Sequence, residues 1–402
     1  MRVRRRQLPA VAAAIGLMTL AACGSDGSSD AAGGDSGGGD TIKIMQIYDE
    51  TGPGASPELV DGATAGVQEI NDAGGVNGRK LELLECKTGN DPNKADNCAR
   101  EAKAKGASAV LGGLTLQKGI NTILEQEQIP IIGNVTSGAD LTAPVQFPIT
   151  GSTAVEIPGL ANAFYDKGAR KISFARIQVD GGEAFAGFAN QGLELHDTKV
   201  LNDVPVPGGA ADMAPYVQQV LAGGTDAVMV ILPGADSITF TKELKKVAPD
   251  MPVALIGTQK EKVVDALGAD SEGLYESMFF LPPAYENDAT RAYVAAMDKA
   301  GFKEKRGFRL HAYTAVQVFA AVAKTVDDPT SKALWEALPK TEGIDVGLTP
   351  PLQWTKGGVG GLERVFTPCS LIVEIKDGHE TPVYDSFKDA YTFEDCPTPP
   401  KS

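Results

Sequence analysis

Only three histidines and two tryptophans occur in the 402 residues, and no two histidines lie near one another. That scarcity removes the histidine-rich metal sites, and the H-E-x-x-H pattern is absent. A P-loop is missing too, as is any G-x-S-x-G elbow joining a strand to a helix. The turn Gly52-Pro53-Gly54 lacks the third glycine of a dinucleotide loop. No C-x2-4-C pair is present, which argues against a four-thiolate zinc centre. No cofactor and no metal are therefore expected, and a secreted enzyme remains only a remote alternative. Positive charge is also in short supply. Lys and Arg number 37 against 52 Asp and Glu, a formal net charge of −15. Nucleic-acid binding depends on neutralising phosphates with basic side chains, so that partner class is excluded.

What is present begins at the N-terminus. Arg2, Arg4, Arg5 and Arg6 precede an uncharged apolar run from Leu8 to Ala22. The run falls short of the roughly 20 residues a spanning helix needs and has the layout of a secretory signal. It closes on Leu20-Ala21-Ala22-Cys23, which resembles the bacterial lipobox and implies acylation of Cys23. Gly24 to Asp40 contains only Gly, Ser, Asp and Ala. Such a stretch cannot bury a core, and as a flexible coil it reaches on the order of 20 Å. Residues 1–22 are thus expected to be a signal peptide, and 23–40 a lipidated cysteine with its tether. The expected location is the outer face of the cytoplasmic membrane. Cys86, Cys98, Cys369 and Cys396 allow three pairings. The local pairs Cys86–Cys98 and Cys369–Cys396 are favoured, in keeping with an oxidising compartment.

From Thr41 onward short apolar runs alternate with amphipathic stretches. Leu59, Ala63, Val67 and Ile70 share one helical face, and strands are expected near 41–47, 80–85, 109–111 and 130–132. The rhythm restarts with strand-like runs at 171–175, 227–232 and 253–256. This is the βα alternation of parallel sheets covered on both faces. A single core rarely grows past roughly 250–300 residues, so two Rossmann-like lobes are expected. Lobe 1 is read as 41–149 plus 283–348, and lobe 2 as 150–282 plus 349–402. Crossovers near Phe147–Ser152, Leu281–Pro283 and Gly347–Pro351 would form a three-segment hinge. Leu352–Trp354 and Ser370–Ile375 are read as closing strands.

Certain motifs then carry a resemblance. They are Thr51-Gly52-Pro53, Asn71-Asp72-Ala73-Gly74-Gly75-Val76-Asn77-Gly78-Arg79, Asp91-Pro92, Gly112-Gly113, His311-Ala312-Tyr313-Thr314-Ala315-Val316 and Leu352-Gln353-Trp354-Thr355-Lys356-Gly357-Gly358. In this order the chain is similar to the leucine/isoleucine/valine-binding family of ABC-transporter receptors, over Thr41 to Asp385. The resemblance implies a type I periplasmic-binding-protein fold, a small solute held between the lobes, and an ABC permease as partner. A monomer is expected. A sensor of the same fold coupled to a signalling partner is the alternative.

The family's site implies solute contacts from Thr115 and Leu116 after the 109–113 strand, and from Asn134, Val135 and Thr136 after 130–133. In lobe 2 the family places an aromatic and a later carboxylate, where this sequence offers Asp180 and Gln259, with no aromatic at Gly181. Leu116 stands about where the family has a serine, and Gln259 offers an amide in place of a carboxylate. A buried ammonium needs acceptors, and Asp180, Asp236 or Glu261 are candidates. The solute is an amino acid, an amide or a small organic acid. Thr115 and Thr136 equally suit helix capping. Tyr313, Trp335 and Trp354 are read as packing residues.

Overall fold

The structure is a computed structural model that describes residues 41–52, 55–113, 117–134, 138–257 and 260–402. The expected signal, tether and lipidated Cys23 lie outside these residues. The chain opens with strand β1 (Ile42–Tyr48), whose side chains are buried on both faces. Ile42, Ile44 and Tyr48 enter one core layer, while Met45 and Ile47 enter another. A strand apolar on both sides demands cover on both sides. That cover comes from helices α1 (Leu59–Asp72), α2 (Pro92–Ala104) and α3 (Gly119–Gln126). Strands β2 (Leu81–Lys87), β3 (Ala109–Leu111), β4 (Ile131–Ile132) and β5 (Gln146–Phe147) complete a parallel sheet of order β2-β1-β3-β4-β5. Local chemistry sets the boundaries. Asp91 caps α2 by accepting from the N–H groups of Asn93 and Lys94, with Pro92 at the first helical position, where its missing N–H does no harm.

The chain then crosses to a second sheet through α4 (Thr153–Asp166). Strand β6 (Ile172–Ile177), helix α5 (Glu183–Leu193), strand β7 (Asp203–Val206) and helix α6 (Ala214–Leu221) follow. Next come β8 (Ala227–Ile231), α7 (Gly234–Val247), β9 (Val253–Leu255), α8 (Lys260–Leu267) and β10 (Leu274–Met278). It returns to the first lobe with α9 (Asp288–Lys299), α10 (Phe308–Ala323) and α11 (Ser331–Ala337). It ends in the second with β11 (Cys369–Lys376), β12 (His379–Pro382) and β13 (Lys388–Asp389), which pair antiparallel at that sheet's edge. The second sheet has the order β12-β11-β10-β9-β8-β6-β7, with β13 beside β11. These are two α/β lobes with parallel-dominated sheets, each discontinuous in sequence. Disulfides join Cys86 to Cys98 and Cys369 to Cys396. No helix among the described residues is long and apolar enough to cross a membrane.

Three expectations differ from what is observed. Leu352–Trp354 is not a strand, because Leu352 makes only an isolated bridge with Ile344. Nor does the chain leave the first lobe near Gly347–Pro351. Leu352, Trp354 and Phe366 are buried in the core that holds β1 and α10. The reason is Trp354. Its ring meets Phe147 edge-on at 6.0 Å, and its indole N–H donates to Pro148 O at 2.9 Å. A buried tryptophan settles where both its area and its single donor are satisfied. At the second crossover Tyr285 packs with Leu281, Leu371 and Phe387 of the second lobe, slightly beyond the expected 282/283 boundary.

Candidate functional site

Open α/β sheets bind ligands beyond the carboxyl ends of their strands. In the first lobe β3 and β4 end side by side. A Cβ on Gly112 would lie 2.1 Å from the Asn134 nitrogen, so only glycine permits the approach. The loops that follow, 114–116 and 135–137, contain Thr115, Leu116, Val135 and Thr136, all outside the described residues.

Their anchors are described. Asn134 is buried, and its Oδ1 accepts from Gly113 N–H at 3.3 Å while its Nδ2 donates to Asp140 at 3.3 Å. Asp140 is 1% exposed and gathers the region. It accepts from Asn121 at 2.8 Å and Gln146 at 3.3 Å, and it pairs with the ammonium of Lys118. The expectation made Asn134 a solute contact. Its side-chain amide links Gly113 to Asp140 across the two loop bases. His311 does similar work beneath them. It is buried, its Nε2 bonds the Gly133 carbonyl, and burial lowers its pKa to about 4, leaving it neutral.

In the second lobe Asp180 sits exposed in the turn after β6. Asp236 is buried and takes the Gly209 N–H at 2.9 Å. Gln259 lies outside the described residues. The residue after it, Lys260, opens α8 and reaches inward. Its Nζ donates to Glu156 Oε1 at 2.7 Å and to Ser277 O at 2.6 Å, and Gly257 N–H approaches the same Glu156 oxygen at 3.5 Å. Burial works against the Lys260 charge, but the carboxylates of Glu156 and Glu276 prevail and raise its pKa. Glu276 on β10 is buried beside this pair, and desolvation pushes its pKa up to about 8. This cluster was missed in the sequence. The one available signal was a glutamate inside the apolar run from Leu274 to Phe280.

The lobes touch at α8. Lys262 pairs with Glu58 at 3.7 Å and donates to Ala55 O at 3.4 Å, both ahead of α1 in the first lobe. Glu261 lies against Gly307, and burial followed by the nearby Glu58 raises its pKa. The loop after β1 and the helix after β9 thus meet. A shallow groove of about 200 Å³ between α1 and α9 is lined by Ala65, Ala295 and Ala296 with a few polar neighbours. Among the described residues, no group of three or more His, Cys, Asp or Glu could hold a metal. Tyr313 and Trp354 are buried, in keeping with packing roles.

Comparison with known proteins agrees with this geometry. Residues 41–379 match the family model described as periplasmic binding protein. The Leu/Ile/Val-binding protein of Escherichia coli is 24% identical over 336 residues, covering 80% of this chain and 89% of its own. Among solved structures, the branched-chain amino acid transporter substrate-binding protein LivJ from Streptococcus pneumoniae, in complex with isoleucine, superposes with a TM-score of 0.68 at 19% identity. That alignment covers 85% of this chain and 97% of the other. The fatty acid ABC transporter substrate-binding protein from Thermomonospora curvata gives 0.71 at 17% identity, covering 89% and 95%. This chain belongs to the leucine/isoleucine/valine-binding family of type I periplasmic binding proteins.

Proposed function

We propose that this chain captures a small polar solute between its lobes and presents it to an ABC permease, without transforming it. The carrying observation is the meeting of β1- and β9-terminal segments from separate lobes, with the Asp140 and Lys260 networks bracing the loops on either side. The solute would bind one lobe first, and the other would close over it about the hinge. Backbone N–H groups and hydroxyls near Thr115, Leu116, Val135 and Thr136 would take a carboxylate, with Asp180 and Gln259 opposite. Amino acids, amides and small organic acids are the candidate classes. A family relative that binds Leu, Ile and Val favours the first. Acylation of Cys23 would hold the domain at the outer face of the cytoplasmic membrane, and mass spectrometry of wild type and Cys23→Ser tests that point.

The solute itself is found by thermal shift of the chain from Asp40 onward against the three classes. A ligand at 100 times its Kd adds about 2.7 kcal/mol of stability. No shift from any class would reject the reading. Thr136→Ala is expected to weaken binding of the selected solute about tenfold, the worth of a hydrogen bond to a charged group. Melting of the solute-free protein should stay unchanged. Equal affinity in both proteins would remove Thr136 from the site.

A further inference from the structure

Arg306 lies in the loop between α9 and α10, far along the chain from the hinge crossovers, yet it spans both lobes. Its own lobe is the first, since Met297, Phe308 and Leu310 on either side are buried in that core. Its Nη2 donates to both carboxylate oxygens of Asp265 on α8, at 2.9 and 3.1 Å, and Nη1 lies 3.5 Å from Gly378 O in the β11–β12 turn. Both partners belong to the second lobe. Within the first lobe, Glu304 holds the guanidinium in place. Its Oε1 accepts from Arg306 Nε at 3.1 Å and from the backbone N–H groups of Lys305 and Arg306, each at 2.9 Å. Arg306 is therefore preorganised before the second lobe arrives, and its side chain is only 17% exposed with Asp265 in place.

The adjoining residue gives independent support. A Cβ on Gly307 would lie 2.6 Å from the Glu261 carboxyl carbon, and Gly307 adopts φ of +67°. The lobes come into close contact here, at a backbone conformation that favours glycine. Glu261, Lys262 and Asp265 fall within one turn or so of α8 and supply second-lobe contacts to the first.

We propose that Arg306 is a positioning residue for solute capture: by gripping Asp265 and Gly378 it latches α8 against the first lobe, so that the protein itself supplies part of the drive to close. This rests on the hinge-closure reading above and deepens it. A receptor whose competent form is partly populated binds in proportion to that population. Removing the latch opens the solute-free protein and lowers apparent affinity without touching the solute.

The test uses the mature chain carrying Cys23→Ser, as wild type, R306A, D265A and the double variant. Small-angle X-ray scattering without solute is expected to give a larger radius of gyration for all three variants than for wild type. Melting temperatures should agree, which separates opening from unfolding. Titration with L-leucine is expected to show about three- to fivefold weaker binding in each variant, a size suited to a partly exposed bidentate pair. The double variant should be no weaker than either single one. Unchanged scattering in R306A and D265A would overturn the latch. If scattering changes while wild type binds no leucine, the latch stands and the amino-acid reading falls. If all four bind leucine equally with unchanged scattering, the latch falls and that reading stands.

Discussion

Glu276→Gln is expected to stabilise the fold by about 3 kcal/mol at pH 7. The side chain sits on β10 between Leu255 of β9 and Val373 of β11 and is 3% exposed. Its Oε1 has no hydrogen-bond partner among the described residues. Desolvation dominates its environment; Lys260 opposes the effect, while Glu380, Glu261 and Glu156 add to it, and the pKa rises to about 8. Between the ordinary value of 4.5 and about 8, the folded state therefore holds a proton that the unfolded chain releases. Wild-type stability from this group grows as pH falls through that window and is lost as pH rises through it. Glutamine does not titrate. The variant's advantage should be largest above pH 8, shrink by about 1.4 kcal/mol per pH unit and vanish near the unfolded value. Urea denaturation of both proteins at pH 8.5, 7 and 5 checks this. Equal stability at pH 8.5 would mean that the carboxylate is solvated or paired, and the account would fail.

Asp140→Ala should be the most damaging single change near the first-lobe loops. It removes the acceptor shared by Lys118, Asn121, Asn134 and Gln146. Removing a buried acceptor shared by four side chains leaves buried polar groups unsatisfied, at about 3–5 kcal/mol. The effect should not stop at stability. Asn134 and Gly113 stand at the bases of the loops proposed to hold the solute, and both depend on this cluster for position. At temperatures where the variant remains folded, solute affinity is expected to fall at least about tenfold. Asp140→Asn keeps shape and one acceptor and should lie between. Chemical denaturation and calorimetric titration measure the two losses separately. An alanine variant as stable as wild type would show that the cluster does not brace these loops.

Much of the architecture could be read in the residues, for identifiable reasons. β3 occupies Ala109–Leu111, as its pattern predicts, since it is bounded by the Gly112-Gly113 turn. Helix α4 escaped notice. It is apolar almost all round and carries Pro158, which ordinarily argues against a helix. The structure compensates from a distance: Pro158 cannot donate to the Ala154 carbonyl, and the Tyr391 hydroxyl does so instead. No local window contains both residues. The candidate site shows the same limit. Motif spacing located the loop bases at Gly113 and Asn134. It could not show that Asn134 is occupied by Asp140, or that Glu156, Lys260 and Glu276 converge from three separate stretches. Burial and pairing across such separations are properties of the folded chain.

The interleaving of the lobes has a consequence for how the protein is made. β1 near the start shares its core with Trp354 and Phe366 near the end. α4 likewise awaits Tyr391 to satisfy its freed carbonyl. Loop closure over such spans is slow and precedes any gain from the contacts it permits. A ribosome that has released only the first half of the chain has therefore released no finished unit. Neither half can be completed until the chain through Tyr391 has been made, and until then apolar surface stays exposed.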